Sequence, residues 1–347
     1  MRIISEAQRR QLEDLSEAGL LSGLPLELAE KDIHVTDLLR SLATLRVEHA
    51  HFQKTRKDLT GVDVDDGITM VFAGGTCLSK AYGAIRRMSE DIDIKIILTA
   101  PSRLLAKEIT DRARLKALHQ AIEAVLAELG FEVPEQVNGA ANPFTRDNSR
   151  YCIINSKYKG HDAESHLSLR AELKLELIQR APKLEPQMLS FGYLHERLAS
   201  LPLSNPVSML CIQPSETLAE KVLSLLRRCA WNWGGFQHAE LDPTLVRHVY
   251  DVHQITKMDP STLEVAQSIF QALVTTDVTE FQGQNPEFDL SPATVLRDTL
   301  GKARTSDVLT RQYSLRVLPL IYGPHEVTYQ EAFSTFETVA HTLLRTL

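Results

Sequence analysis

The sequence contains the stretch Val71-Phe72-Ala73-Gly74-Gly75-Thr76-Cys77-Leu78-Ser79-Lys80, followed shortly by Arg87-Met88-Ser89-Glu90-Asp91-Ile92-Asp93-Ile94. An apolar run from residue 68 to 73 predicts a strand that ends at two glycines, and a short helical segment follows. A second strand is predicted from about residue 90 to 98. Because strand side chains alternate between faces, we expect Asp91 and Asp93 on one face of a sheet.

These two features together predict a site for a metal-bound phosphate. Two carboxylates on one sheet face repel each other, and oxygen ligands of this kind suit Mg²⁺, which also accepts oxygens from nucleotide phosphates. A Gly-Gly turn between a strand and a helix can bring backbone N–H groups close to an anion. The combination is the minimum needed for metal-assisted phosphoryl or nucleotidyl transfer, although either feature alone would fit an ordinary turn or a solvated strand face.

Length and composition indicate a globular protein without a membrane segment. The chain has 347 residues, of which 43% are hydrophobic and 24% charged, enough for one large domain or two ordinary ones. No apolar run approaches the length of a transmembrane helix and the amino terminus lacks a signal-peptide core, so a cytoplasmic location is expected. The four cysteines lie far apart, which argues against a zinc site or a disulfide framework.

The charge of the chain limits how it could bind nucleic acid. The formal net charge is −7, which disfavours indiscriminate binding of polyanions. Any RNA affinity must therefore come from a local basic patch and should fall steeply with salt. Aromatic residues are only 6% of the chain, so the composition gives no indication of aromatic surfaces that stack on the bases of single-stranded nucleic acid.

The motif residues resemble a known family. Gly-Gly-Thr-x-Leu-Ser-Lys followed by Arg-x-Ser-Glu-Asp-Ile-Asp-Ile is similar to the first motif of the DNA polymerase β-like nucleotidyltransferase superfamily. More narrowly, it resembles the AbiEii/AbiGii toxins of abortive-infection (phage-defence) and type IV toxin–antitoxin systems, most strongly over residues 68–97. The resemblance implies an α/β (α+β) fold: a polymerase β-like nucleotidyltransferase domain with a small mixed sheet, N-terminal helices and a C-terminal helical domain.

Three regions are predicted along the chain. Residues 1–60 form an N-terminal helical region, because helical spacing of leucines extends from about residue 5 to 58. Residues 61–205 form the catalytic domain, which ends in a connector that contains several prolines. Residues 206–347 form a helical domain that, by resemblance, closes the cleft.

A later strand is predicted to supply a third carboxylate. Residues 167–178 alternate between apolar and charged side chains, so that Glu172, Lys174 and Glu176 share one face. Polymerase β-like enzymes carry a third metal-binding carboxylate on such a strand, and the family pattern apolar-Lys-apolar-Glu-apolar falls on Lys174 and Glu176. We therefore expect Glu176 to be the third ligand, with Glu172 as the alternative that spacing alone cannot separate.

Two helical segments carry further candidate residues. Leu218-Ala219-Glu220-Lys221, with Arg228 seven residues later, resembles the family's second motif, in which the lysine reaches the triphosphate. Lys221 and Arg228 share a helix face. A following segment matches the family's Arg-Asp-x-x-Asp-apolar pattern only at Arg247 and Asp251, since His248 stands where an aspartate is common. Asp251 could orient Lys221, assist the attacking hydroxyl or pair with Arg247.

The resemblance implies a role for each candidate residue. Phosphate would be held at Gly74, Gly75 and Thr76, with the hydroxyls of Ser79 and Ser89 nearby unless they cap turns. Asp91, Asp93 and Glu176 would bind Mg²⁺, and Lys221 and Arg228 would neutralise the triphosphate.

The substrates and partners implied are a nucleoside triphosphate, the 3′ end of tRNA or another RNA as acceptor, and a separate antitoxin protein. A small cationic molecule, as in aminoglycoside-modifying relatives, would suit the acidic chain as an alternative acceptor, and a protein acceptor is a further alternative. A nucleotide-binding regulator without catalysis is disfavoured because Asp91 and Asp93 are both intact.

Overall fold

The structure is a computed structural model, and it describes residues 1–47, 67–89, 91–100, 110–160, 171–236, 241–323 and 326–347. The chain forms two compact units. The first contains the sheet and comprises residues 1–81, 89–181 and 186–211. The second is helical and comprises residues 82–88, 182–185 and 212–347. The predicted mixed α/β fold, with helices before the sheet and a helical C-terminal part, is confirmed.

All described strands belong to the first unit. They are β1 (Ile68–Ala73), β2 (Asp91–Leu98), β3 (Gln136–Val137), β4 (Ala140–Ala141), β5 (Phe144–Arg146), β6 (Tyr151–Lys157), β7 (Glu172–Gln179), β8 (Gln187–Phe191) and β9 (Val207–Cys211). Seven of them form one mixed sheet in the order β5-β6-β7-β2-β1-β9-β8, and β3 pairs with β4 alone. In the large sheet β2 runs antiparallel to β1 and parallel to β7.

The sheet has one buried face and one more open face. Leu173, Leu175 and Leu177 of β7 are buried, and the residues between them are half-buried. The same alternation places Ile92 and Ile94 of β2 in the core. The period-two patterns of both predicted strands are thus confirmed, and the charged side chains between the apolar ones line the open face.

The helices of the first unit are α1 (Glu6–Glu17), α2 (Leu26–Ala43), α3 (Gly74–Lys80), α4 (Asp111–Glu128) and α5 (Leu194–Leu198). Helix α1 begins with a capping box between Ser5 and Gln8, which satisfies two backbone N–H groups at once. Helix α2 buries two thirds of its residues and packs against β9 and α4. The helical region predicted up to residue 58 ends at Ala43, and residues 44–47 are not helical; residues 48–58 lie outside the described residues. The helix predicted from residue 101 begins at Asp111 after its cap Thr110, and residues 101–109 lie outside the described residues.

The second unit consists of α6 (Pro214–Trp233), α7 (Arg247–Met258), α8 (Thr262–Glu280), α9 (Pro286–Leu290), α10 (Pro292–Arg304), α11 (Asp307–Arg316), a 3₁₀ turn (Leu318–Leu320) and α12 (Tyr329–Leu344). Helix α6 buries Leu218, Val222 and Leu225 as its spacing predicts, and it packs against α7, α8 and α10. No helix among the described residues is long and apolar enough to cross a membrane. The four cysteines are buried and form no disulfide with one another.

A buried ion pair joins α2 to the end of α3. The Lys80 ammonium lies 2.6 Å from Asp32 Oδ1, and the other oxygen of Asp32 accepts a hydrogen bond from the backbone N–H of Leu194. Both charged side chains are at most 4% exposed. Burial lowers the pKa of Lys80, and the Asp32 charge opposes that shift. The pair therefore fixes α3, the helix that follows the two glycines, on the core of the first unit.

We expect Asp32→Ala to destabilise the first unit by about 3–5 kcal/mol, because it leaves the buried Lys80 charge without its partner. Amide hydrogen exchange of peptides from β8 to β9 would report the loss, since Asp32 also anchors Leu194 between these strands. Asp111→Ala is the matched control: its carboxylate is 71% exposed and pairs with Arg114 at 3.2 Å, so its loss should cost about 1 kcal/mol or less. Equal effects of the two substitutions would contradict a stabilising role for the buried pair.

Candidate active site

The three predicted metal ligands lie on the open face of the sheet. Asp93 of β2 is the direct register partner of Glu176 on the parallel strand β7, and Asp91 is the partner of Lys174. Paired residues on neighbouring strands point to the same face, so all three carboxylates share it. Glu172 instead lies opposite Lys157 of β6, away from Asp93. The register thus brings Glu176, rather than Glu172, beside Asp93.

The glycine corner lies directly against Asp93. Gly74 has a φ of +71°, a conformation that side chains with a Cβ rarely adopt. A Cβ at this position would lie 1.8 Å from Asp93 Oδ2 and 2.6 Å from its Cγ. Glycine at position 74 is therefore required both by the backbone and by the close approach of the carboxylate. The corner and the acidic strand, distant by nearly twenty residues in sequence, form one local structure.

The first turn of α3 is also tied to β2. The hydroxyl of Thr76 donates a hydrogen bond to the backbone carbonyl of Asp91. The carbonyl of Ser79 accepts one from Arg197 at 2.5 Å. Gly75, Thr76, Ser79 and Ser89 are all buried, so these residues shape the corner more than they extend from it.

A lysine lies among the carboxylates. Lys174 forms an ion pair with Glu176, and Tyr151 of β6 donates a hydrogen bond of 3.3 Å to the other oxygen of Glu176. Burial alone would lower the pKa of Lys174, but the nearby charges of Asp91 and Glu176 outweigh it and raise that pKa. Burial, reinforced by the charge of Glu176, raises the pKa of Tyr151 to about 12. Both groups therefore keep their protons at neutral pH and act as donors to the acidic cluster.

The donor set fits a divalent cation that is shared with a substrate. Within the ranges that the structure describes, no three His, Cys, Asp or Glu side chains are arranged as a ready metal cage. Mg²⁺, however, is usually bound by one or two carboxylates together with substrate phosphates. Asp91 and Asp93 supply the hard oxygen ligands that this mode requires, and Glu176 lies one strand away.

The second unit contains a buried charge cluster around Asp251 of α7. Arg87 contacts this carboxylate through two hydrogen bonds, Nε to Oδ1 at 2.7 Å and Nη2 to Oδ2 at 2.6 Å. The ammonium of Lys221 lies 2.7 Å from Oδ2. Asp251 is fully buried, which by itself would raise its pKa, but the charges of Arg87 and Lys221 hold the pKa well below its usual range. The carboxylate is thus ionised and fixes the position of the Lys221 ammonium.

Arg228, the other predicted residue of this unit, has a more exposed partner. It pairs with Asp242 at 3.2 Å, with both side chains more than one third exposed.

His248 stands at the position where the family commonly has an aspartate. It is enclosed by Lys221, Arg228 and Arg87, and burial together with these charges lowers its pKa. The imidazole therefore stays neutral and cannot replace the carboxylate that the family pattern would have there.

Sequence reasoning missed the role of Arg87 in this cluster. Arg87 belongs to the motif that carries the family resemblance, yet it precedes Asp251 by 164 residues. The sequence offered Arg247 as the partner one helical turn away, whereas the carboxylate of Asp251 binds Arg87 and Lys221. The one signal in the sequence for this role was that the motif carrying the resemblance includes an arginine, Arg87, between the glycine corner and the acidic strand.

The comparisons with known proteins show the family of the chain. A family model described as "Nucleotidyl transferase AbiEii toxin, Type IV TA system" matches residues 57–340. The chain is therefore a nucleotidyltransferase, and it belongs to the AbiEii toxin family of type IV toxin–antitoxin systems. Both the family and the enzyme class predicted from the motif are confirmed.

A solved structure shows the same fold at low sequence identity. MenT4, the nucleotidyltransferase toxin Rv2826c from Mycobacterium tuberculosis H37Rv, is 16% identical, with 96% of this chain and 89% of that chain covered and a TM-score of 0.50. JHP933 from Helicobacter pylori is also 16% identical, with 99% and 94% covered and a TM-score of 0.39. No curated protein sequence matches the chain significantly.

Proposed function

We propose that this toxin transfers a nucleoside monophosphate from a nucleoside triphosphate to the 3′ end of tRNA or another RNA, with Mg²⁺ as cofactor. The observation that carries the proposal is the contact between Gly74 and the carboxylate of Asp93, in register with Glu176. A glycine corner and a row of carboxylates on one sheet face suit a metal-bound phosphate. The protein would act in the cytoplasm, with a separate antitoxin as its partner.

Each part of the first unit has a role in this proposal. Asp91, Asp93 and Glu176 would hold one or two Mg²⁺ ions, which would lower the charge on the reacting phosphate. The backbone at Gly74, Gly75 and Thr76 would hold the phosphate oxygens, since no side chain stands between that backbone and Asp93. Ser79 and Ser89 would support the corner. In this scheme the carboxylates position the phosphate for in-line displacement.

The residues of the second unit would act on the triphosphate charge. Lys221 is the candidate by resemblance, with Arg228 assisting, because a lysine is a mobile point charge on a long stem. Asp251 would act through Lys221 by holding its ammonium, and Arg87 would in turn hold Asp251. A fixed ammonium costs less reorganisation at the moment of reaction than a mobile one.

The test is incubation of the purified protein with each labelled nucleoside triphosphate, Mg²⁺ and total RNA, with and without a chelator. Label on tRNA or another RNA, lost on chelation, is the expected result. Label on a small cationic molecule or on protein would redirect the acceptor assignment. Nucleotide binding without any transfer would favour a regulator and overturn the proposal.

A further inference from the structure

We infer that Phe144, Arg146, Tyr151 and Ile153, here called the β5–β6 platform, bind the terminal nucleobases of a single-stranded RNA acceptor. The inference rests on the proposed function and gives that function's acceptor a binding surface. It is carried by strand register, by side-chain exposure and by the direction of in-line transfer.

The platform continues the row of carboxylates on the same sheet face. Phe144 of β5 is the register partner of Ile153 on β6, Ile153 is the partner of Glu176 on β7, and Glu176 is the partner of Asp93. Register partners point to one face, so these four side chains form a single cross-strand row. Three strand spacings separate its ends, or about 14 Å. The platform therefore begins one strand away from the third carboxylate.

The platform has the open aromatic surface that a nucleobase requires. Phe144 is 41% exposed, while Tyr151 and Ile153 are half-buried on the open face. The guanidinium of Arg146 lies over the Tyr151 ring, 4.2 Å from its centroid. Tyr151 also donates to Glu176 at 3.3 Å, so the aromatic surface and the carboxylate row are in direct contact.

An unusual turn follows Arg146, whose guanidinium lies over the ring. Asp147, Asn148 and Ser149, which join β5 to β6, all have positive φ values of 52°, 56° and 69°. Three consecutive residues other than glycine in the left-handed region are costly, and such conformations persist where the surroundings impose them. The turn closes with a hydrogen bond from the N–H of Arg150 to the carbonyl of Asp147, at 3.0 Å. The contact between Arg146 and Asp147, at 3.5 Å between exposed side chains, adds little.

The direction of transfer places the acceptor on this side. In phosphoryl transfer the attacking and leaving oxygens lie roughly in line with the phosphorus. If the leaving pyrophosphate lies at the glycine corner and the reacting phosphate at Asp91 and Asp93, the attacking hydroxyl lies towards β7 and β6. The leaving group is pyrophosphate, and the nucleoside of the incoming nucleotide stays bonded to the reacting phosphorus through its 5′ oxygen, off the line between the attacking and leaving oxygens. The in-line position on the β7 and β6 side is therefore left for the acceptor.

The charges of the platform fit a nucleic-acid strand better than a small cation. Arg146, Arg150 and Lys157 are exposed cations on or beside β5 and β6. They offer positive charge to RNA phosphates in a chain whose formal net charge is −7, with Asp147 beside Arg146 and Glu172 opposite Lys157. Aromatic rings and arginines bind successive bases and phosphates of single strands, whereas the arginine charges would repel a cationic acceptor.

The experiment measures binding of a single-stranded RNA with a 5′ fluorophore and a free 3′ hydroxyl, by anisotropy and without nucleotide. We expect roughly tenfold weaker binding for Phe144→Ala. Arg146→Ala should reduce the slope of log K against log salt by about 1. Met188→Ala removes an exposed apolar side chain from the opposite edge strand, β8, and should leave binding unchanged.

Steady-state transfer kinetics complete the test. Phe144→Ala should raise KM for RNA about tenfold while KM for the nucleoside triphosphate stays unchanged. Transfer to RNA with unaltered RNA binding by both Phe144→Ala and Arg146→Ala would overturn this inference and leave the proposed function standing. A rise only in KM for the triphosphate would overturn it too, because the platform would then bind the incoming base. Absence of any transfer to RNA by the native protein would overturn the proposed function and this inference with it.

Discussion

Replacement of Asp93 by alanine should reduce nucleotidyl transfer by about 10³-fold or more, to background. The substitution removes the carboxylate that contacts the glycine corner and lies beside Glu176. Asp93 lies on the half-open face of β2, and its neighbours Ile92 and Ile94 keep the strand in the core. The variant should therefore fold normally. Transfer of label and circular dichroism, measured on the same preparation, would separate loss of activity from loss of structure.

The matched comparison for Asp93→Ala uses the two glutamates of β7. Glu176→Ala should cause a loss similar to that of Asp93→Ala, because Glu176 is the register partner of Asp93. Glu172→Ala, on the same strand and face but opposite Lys157, should retain activity to within about tenfold of the native protein. Unchanged turnover in Asp93→Ala would remove the site assignment altogether. A severe loss of activity in Glu172→Ala alone would assign the role of third metal ligand to Glu172 instead of Glu176.

Replacement of Asp251 by alanine should destabilise the second unit by about 3–5 kcal/mol or more. The substitution leaves two buried cations, Arg87 and Lys221, without the carboxylate that neutralises them. Both tryptophans of the chain, Trp231 and Trp233, lie at the end of α6 in the same unit. Urea unfolding followed by tryptophan fluorescence therefore reports this unit specifically.

The control for Asp251→Ala is Asp242→Ala in the same unit. Asp242 pairs with Arg228 at 3.2 Å, but both side chains are more than one third exposed, so its loss should cost about 1 kcal/mol or less. If the two variants unfold at the same urea concentration, the buried cluster does not stabilise the unit.

The Asp251 cluster should also make stability depend on acid. The pKa of Asp251 is lowered in the folded protein, whereas an unfolded aspartate binds a proton near pH 4. Between these values the unfolded chain binds more protons, so the contribution is complete above about pH 5 and is lost as the pH falls further. The native protein should therefore lose stability below about pH 5, and Asp251→Ala should lack this part of the loss.

Periodicity predicted the elements that form the centre of the sheet. The strand after the glycine corner and the later strand each have one strictly buried face, so their alternation is visible in the sequence. The strand before the corner is visible instead as a continuous apolar run, since its last three residues are all buried. Strands β8 and β9 were missed, because they lie between prolines and one of them is an edge strand with mostly exposed residues. Trp231 belongs to α6 and packs against Phe288, with 4.8 Å between ring centroids.

The site could be predicted only as far as local spacing reaches. Asp91, Asp93 and Glu176 could be identified because both the alternation of side chains along a strand and the family motif extend over only a few consecutive residues. The choice between Glu172 and Glu176 depends on strand register, which spacing does not contain. The pairing of Arg87 with Asp251 depends on tertiary structure across 164 residues. The β5–β6 platform could not be predicted because the overall content of aromatic residues does not show which of them lie side by side in the folded sheet.

The division of the chain into its two units has a practical consequence for dissecting the enzyme. The polypeptide passes from one unit to the other five times, after residues 81, 88, 181, 185 and 211. The short excursion at 82–88 carries Arg87 and lies between the glycine corner and the acidic strand. No single cut can therefore release either half intact. A fragment of residues 1–211 would contain Arg87 but not its partner Asp251. Studies of this toxin should therefore use internal substitutions instead of truncations.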